Sequence, residues 1–137
     1  VILIEREGES ISLGGIDDSS FASKYSNGYH SNLSNHIEEL FTEDGFQILL
    51  SHRPELFGMY VDAGVDLIFS GHTHGGQFRL PVVGGLVAPN QGLFPEYDAG
   101  LFLEDGTNMV VSRGIGNSII PVRVNNRPEV VVVELSN

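Results

Sequence analysis

The chain has 137 residues, of which 41% are hydrophobic and 18% charged, a composition typical of one compact domain. Seven Lys and Arg residues against 18 Asp and Glu residues give a formal net charge of −11, which argues against binding to a nucleic-acid backbone. The absence of cysteine excludes disulfides and thiolate metal sites, and no apolar run reaches the roughly 18 residues of a membrane span. The sequence leaves the localisation open.

The N-terminal third predicts a hairpin, a loop and a short helix. Residues 1–5 and 10–16 are β-branched runs separated by a polar, glycine-containing turn, which is typical of a β-hairpin. Residues 17–31 are rich in Ser, Asp, Asn and Gly and predict a surface loop. Residues 32–41 carry apolar side chains at helical spacing, so we expect a short amphipathic helix there.

A strand, a helix and a second strand follow, and each strand ends at a histidine. The apolar run at residues 46–50 leads to His52, and the run at residues 65–69 leads to His72. Between them, residues 54–64 predict a helix that begins at a proline and ends at a glycine. This order favours parallel strands, so both histidines would lie at the C-terminal edge of the sheet, where open α/β sheets bind ligands.

The rest of the chain predicts loops and short strands. Residues 99–104 and 108–113 look like a hairpin, because the Asp-Gly pair between them supplies the positive φ angles of its turn. The other predicted strands are short extended pieces around residues 78–80 and 85–87 and two final strands at residues 119–124 and 129–135. We find no repeat, linker or internal domain boundary, so we expect one β-rich α/β unit with about seven strands.

Three histidines are the residues most able to carry chemistry. His72 and His74 are two residues apart on glycine-rich backbone, and the predicted fold brings His52 to the same crevice. Three neutral imidazoles could hold one zinc ion and leave a position for water. The alternative is that they are ordinary loop residues. Carboxylate ligands are not evident, because the nearby aspartates are predicted to be loop, helix-end and turn residues: Asp17, Asp18, Asp62 and Asp66.

Two segments resemble known signature blocks. Residues 49–55, with the sequence LLSHRPE, and residues 70–77, with the sequence SGHTHGGQ, resemble the last two blocks of calcineurin-like metallophosphoesterases. Further segments resemble a bacterial subgroup that hydrolyses phosphodiesters or nucleotide-lipid pyrophosphates: residues 14–18, 79–81, 111–114 and 125–129. The resemblance covers most of the chain.

The resemblance implies a site with two divalent cations, Mn, Fe or Zn, which activate a hydroxide for in-line attack on phosphorus. By position, His52 and His72 would bind one cation and His74 the other. The family's acidic ligands and its histidine that contacts the transition state belong to earlier blocks, which do not occur here. His30 and His36 are better explained as exposed residues. We therefore expect no catalytic residue in this chain beyond the metal ligands.

Four further residues are candidates for supporting roles. Thr73 and Gln77 could donate hydrogen bonds to the imidazoles or could simply stabilise the loop. Arg53 and Arg113 could bind the charged groups of a phosphate-ester substrate, although surface ion pairs are the favoured interpretation.

The resemblance also implies the place of the chain in its fold. Residues 1–137 would be the C-terminal part of one domain, a two-sheet sandwich flanked by helices whose N-terminal part is absent. One apolar sheet face would then be uncovered and would bind the missing part or a second copy. We expect the isolated chain to bind metal weakly and to be inactive. The alternative is a noncatalytic module in which the histidines bind a single zinc or belong to an interaction surface.

Overall fold

The computed structural model describes residues 1–6, 8–18, 33–42, 44–117 and 121–136. The described residues form a β-rich α/β structure around a mixed six-stranded sheet. Its strands are β1 (Ile2–Arg6), β2 (Glu9–Gly15), β3 (Phe46–Leu50), β4 (Leu67–Ser70), β9 (Gly100–Glu104) and β10 (Thr107–Val111), with two α-helices, α1 (Leu33–Leu40) and α2 (Phe57–Asp62). A 3-10 turn at Pro54–Leu56 precedes α2. Four two-residue strands form two small hairpins: β5 (Arg79–Leu80) with β6 (Gly84–Gly85), and β7 (Val87–Ala88) with β8 (Gly92–Leu93).

The order of the strands explains how one sheet edge collects the functional residues. The sheet runs β1-β2-β3-β4-β10-β9, and β2, β3, β4 and β10 are mutually parallel neighbours. β1 is the edge strand beside β2, and β9 is the opposite edge strand beside β10. Each edge strand is antiparallel to its neighbour and forms a hairpin with it. The segments that leave the four parallel strands therefore all emerge at the same edge.

One face of the sheet is covered by the helices. Because strand side chains alternate between faces, Leu49, Ile68 and Met109 point to the same side and are fully buried there. Leu33 and Ile37 of α1 pack into this core, as do side chains of α2. The apolar side chains of α1 thus face the core, as their helical spacing predicted. Asn32, the expected first residue of this helix, lies outside the described residues.

The other face is apolar and is only partly exposed in the described part of the chain. Phe46, Leu50, Leu101 and Leu103 are 37%, 46%, 58% and 69% exposed, whereas Leu67 and Val110 on the same face are buried. Part of this face borders a cavity of about 740 Å³ that residues 129–135 also line. Its exposed apolar side chains agree with the expected open face, and its role in binding the missing part or a second copy stays a prediction.

The prediction of two final strands, at residues 119–124 and 129–135, is wrong for the residues that the structure describes. Val124 makes only an isolated bridge with Phe78, and residues 129–135 have no strand assignment. A strand requires a neighbour that accepts and donates its backbone hydrogen bonds, and no described strand pairs with this segment. Val131 and Val133 face the cavity instead, while Val130 and Val132 point outward at 78% and 88% exposure.

The predicted loop at residues 17–31 lies outside the described residues except for Asp17 and Asp18. The other predicted helices and strands are confirmed with small changes in their bounds. The two hairpins of the large sheet, the parallel strand pair and both helices are present, and the small strands raise the described total to ten. The predicted helix at residues 54–64 is shorter, because its first turn is a 3-10 turn. None of the described helices is long and apolar enough to cross a membrane.

Candidate active site

The site is built where β3 and β4 end. His52 follows β3 by two residues and His72 follows β4 by two residues, and these strands are parallel neighbours. Their imidazole rings are in contact, with centroids 4.3 Å apart and ring planes tilted by 58°. His52 is exposed and His72 is half-buried. Topology therefore brings together two of the three predicted histidines.

The loop after β4 follows a left-handed backbone path. His72, His74 and Gln77 have φ angles of 67°, 48° and 49°, and Gly75 and Gly76 are also positive. Left-handed backbone costs a residue with a side chain about 1–2 kcal/mol, so the surroundings must hold this loop in place. A Cβ on Gly76 would lie 2.4 Å from Gly85 Cα, so only glycine fits that close approach.

Asn126 holds this loop from the far end of the chain. Its side chain is buried, and its Nδ2 donates to the carbonyl oxygens of His74 at 2.6 Å and Gln77 at 3.2 Å. Asn126 was not predicted to be a site residue. The one indication in the sequence was that residues 125–129 resemble a segment of the bacterial subgroup. That resemblance does not indicate which residues the Asn126 side chain would contact.

Asp18 is a second residue whose position the sequence did not reveal. Its Oδ1 accepts hydrogen bonds from Arg53 Nε at 3.0 Å and Nη2 at 2.8 Å, and its Oδ2 lies 3.6 Å from His52 Nε2. The hydrogen bond that Arg53 donates to Asp18 is the main reason that the pKa of Arg53 is raised. Asp18 was predicted to be part of a loop start, and the structure places its carboxylate beside the histidine pair, because β2 and β3 are parallel neighbours.

The predicted supporting residues have other partners. The hydroxyl of Thr73, which is fully buried, donates to the Asp98 carbonyl at 2.8 Å rather than to an imidazole. Arg113 Nε donates to Glu129 Oε2 at 2.7 Å. The backbone N–H of Gln77 donates to the His74 carbonyl at 3.3 Å, and the role of its side chain stays a prediction.

Three of the remaining candidates lie outside the site. Asp66 precedes β4 and accepts from the Gln47 N–H at 2.8 Å, so it belongs to the opposite edge of the sheet. Asp62 is exposed at the end of α2, and His36 is exposed on α1. His30 lies outside the described residues.

The surroundings of His72 and His74 favour neutral imidazoles. Burial lowers the pKa of His72 from its ordinary 6.5, and the charge of His52 lowers it further. Burial also lowers the pKa of His74, followed by the charge of Arg123. The Asn90 amide Nδ2 lies 3.0 Å from His72 Nε2, so this nitrogen accepts from Asn90, and a metal ion would have to displace that contact to bind it. Neutral imidazole is the form that binds metal ions.

The donors present fit part of a metal site. Within the described residues, no group of three or more His, Asp and Glu side chains is arranged to hold one metal ion. The His52–His72 pair supplies two imidazoles, and the Asp18 carboxylate beside it is already engaged by Arg53. The single-zinc site with three histidines is therefore not formed by these residues.

The chain is similar in sequence to several known proteins. No protein-family model and no solved structure matches the chain. It is 33% identical to the uncharacterized metallophosphoesterase YkuE of Bacillus subtilis over 96% of this chain and 42% of that protein. It is 39% identical to the phosphodiesterase YaeI of Escherichia coli over 65% of this chain and 32% of that protein. It is 30% identical to the uncharacterized metallophosphoesterase YkoQ of B. subtilis over 94% and 44%.

The chain thus spans less than half the length of these curated relatives. Two of them are named metallophosphoesterases and one a phosphodiesterase, and the matched segments include the histidine loops. The chain is thus similar to part of proteins that carry these names.

Proposed function

We propose that this chain is the C-terminal part of a metal-dependent hydrolase that cleaves phosphodiester or pyrophosphate bonds. The observation that carries the proposal is the contact between the His52 and His72 rings at the C-terminal edge of two parallel strands. The similarity to relatives named metallophosphoesterase and phosphodiesterase supports the reaction class.

In this proposal, His52 and His72 bind one divalent cation and His74 binds a second one. Mn, Fe or Zn would suit a site of imidazoles and carboxylates. Bound cations supply the positive charge that attracts the phosphate oxygens and activates water, which an acidic chain must obtain from some local source. The acidic ligands and the remaining catalytic groups would come from a preceding part of the same domain.

The residues of this chain would mainly position the ligands. The half-buried surroundings of His72 and His74 keep their imidazoles neutral and ready to bind. Asn126 holds the loop that carries His74, and Arg53 holds the Asp18 carboxylate next to His52. Together these contacts would reduce the movement of the ligands, which preserves metal affinity.

The exposed sheet face would be the surface that joins this chain to the rest of its fold. An apolar patch of this kind is rarely left open in a monomer, so the isolated chain should self-associate or bind the preceding part of the protein. We expect residues 1–137 alone to bind metal weakly and to have no measurable activity. Tight binding of two metal ions by the isolated chain would contradict this.

The test uses the full-length protein and the phosphodiester probe bis(4-nitrophenyl) phosphate. We expect hydrolysis that a chelator abolishes and that Mn, Fe or Zn restores. His72→Ala should reduce the activity by more than about 100-fold, since removal of groups that merely support a ligand already costs 10–100-fold. His36→Ala is the matched control, because His36 is exposed on α1, and it should leave the activity unchanged.

A different outcome would support the noncatalytic alternative. If the full-length protein stays inactive with every one of these cations and binds a single metal ion, the histidines form a structural or sensing site. Equal activity of the His72→Ala and His36→Ala variants would likewise contradict the assigned ligands.

A further inference from the structure

We propose that Arg123 binds the phosphate group of the substrate, an inference that rests on the proposed phosphoesterase function. The sequence pointed instead to Arg53 and Arg113 as the candidate arginines. Arg123 became visible as a candidate only through its contacts and its position.

Most other arginines in the described part of the chain are already neutralised. Arg53 Nη2 lies 2.8 Å from Asp18 Oδ1, and Arg79 Nη1 lies 2.8 Å from Asp98 Oδ2. Arg113 forms an ion pair with Glu129. A guanidinium held in this way must break an ion pair before it can bind an anionic substrate, which makes these three arginines poor phosphate ligands.

Arg123 has a different set of partners. Its Nε donates to the Gly116 carbonyl at 3.0 Å and its Nη2 to the Arg113 carbonyl at 2.9 Å. Carbonyl oxygens orient a guanidinium but do not neutralise its charge. Within the described residues Arg123 forms no ion pair with a carboxylate, and its Nη1 is buried without a hydrogen-bond partner. A buried guanidinium N–H without an acceptor is costly, so this group lacks the anionic partner that a bound phosphate would supply.

The position of Arg123 fits this role. Gly116, whose carbonyl accepts from Arg123, is close to His74, since a Cβ on Gly116 would lie 4.0 Å from His74 Cε1. Arg113, the second acceptor, follows the parallel strand β10 and so lies at the sheet edge that carries His52 and His72. The guanidinium is therefore anchored beside the proposed metal ligands.

The chemistry of the group matches a phosphate ester. The planar guanidinium presents its N–H groups in a fork that fits phosphate oxygens, and it stays charged at any working pH. In a chain with a net charge of −11, an uncompensated cation at the site would offset part of the repulsion that an anionic substrate meets.

The experiment compares three variants of the full-length protein with Mn²⁺ and bis(4-nitrophenyl) phosphate. Arg123→Ala should raise both KM and the inhibition constant of inorganic phosphate by about 10- to 100-fold, the effect of losing a charged hydrogen bond. Arg123→Lys keeps the charge without the fork and should give an intermediate loss. Arg127→Ala is the control, because it removes one positive charge from an exposed side chain nearby, and it should change neither constant.

A purely structural role would give another pattern. Arg123 also holds two carbonyls of the segment after β10, so its loss could lower stability and the active fraction. In that case kcat would fall while KM and the phosphate inhibition constant stayed unchanged in both Arg123 variants, which would overturn the proposal.

Direct calorimetry with inorganic phosphate separates this inference from the proposed function. If the wild-type protein does not hydrolyse the probe, the proposed function fails, and phosphate binding still decides the role of Arg123. Weaker phosphate binding by Arg123→Lys than by the wild-type protein supports the inference. Equal binding by the two proteins, or no binding by the wild type, overturns it.

Discussion

Substitution of Asn126 by Ala should destabilise the loop that carries His74. The side chain is 3% exposed and donates to the carbonyls of His74 at 2.6 Å and Gln77 at 3.2 Å. Each such hydrogen bond contributes about 0.5–1.5 kcal/mol, and a carbonyl left buried without a partner adds a further cost. We therefore expect the free energy of unfolding to fall by about 2–3 kcal/mol. Both residues have left-handed backbone, so the loop should relax and metal binding through His74 should weaken.

The matched control is Asn108→Ala. Asn108 also donates its side-chain Nδ2 to two carbonyls, those of Asp66 at 3.1 Å and Gly106 at 3.3 Å, but it lies at the opposite edge of the sheet and is less buried. We expect a loss below about 1 kcal/mol without any change in metal affinity. Urea unfolding followed by circular dichroism and metal titration by calorimetry, both on the full-length protein, measure the two effects. Equal losses of stability in the two variants, with metal affinity unchanged in both, would refute the reasoning.

Two further predictions concern the same sheet edge. Gly75→Ala should cost more than about 3 kcal/mol in the free energy of unfolding, because Gly75 has a φ of 65° and a Cβ would lie 2.6 Å from Arg113 Cγ. Two glycines serve as controls. Gly114 has a φ of 63° but open space around it, so Gly114→Ala should lower the free energy of unfolding by about 1–2 kcal/mol, and Gly58→Ala within α2 should leave it unchanged or raise it slightly. A similar loss of stability in all three variants would contradict the steric argument. Glu129→Gln should lose stability that depends on pH, because the hydrogen bond from Arg113 lowers the pKa of Glu129 below its ordinary 4.5. A lowered carboxyl pKa stabilises the fold above pH 4.5, and this contribution disappears as the pH falls through the folded-state pKa. The difference between wild type and variant in thermal unfolding should thus shrink in acid, and a difference that stayed constant would count against the ion pair.

Local sequence patterns were sufficient to predict most of the described helices and strands. The hairpins follow from β-branched runs around turn residues, and α1 follows from apolar residues at helical spacing. The parallel pairing of β3 and β4 followed from the helix between them, and it correctly predicted that the segments of His52 and His72 meet at one edge. The predicted strand at residues 129–135 was wrong because its valines satisfy the local pattern while no described strand pairs with them.

The partners of the site residues were decided by tertiary structure alone. Asp18 and Arg53 are 35 residues apart, and Asn126 is 52 residues from His74. Neither separation leaves a periodic signal in the sequence, because these contacts depend on which strands are neighbours and on where their loops turn. The same reason explains why the sequence favoured Arg53 and Arg113 over Arg123, since only the fold decides which guanidinium meets a carboxylate.

The sequence by itself therefore determined the histidine loops, the secondary structure that carries them and the chemistry that neutral imidazoles can support. Those properties depend on residue type and on spacing along a short stretch of chain. Tertiary structure decided which side chains surround the imidazoles, which charges are already paired and which apolar side chains of the sheet stay exposed. Such features depend on contacts between distant segments, because folding brings these segments together through the packing of the whole sheet rather than through any local preference.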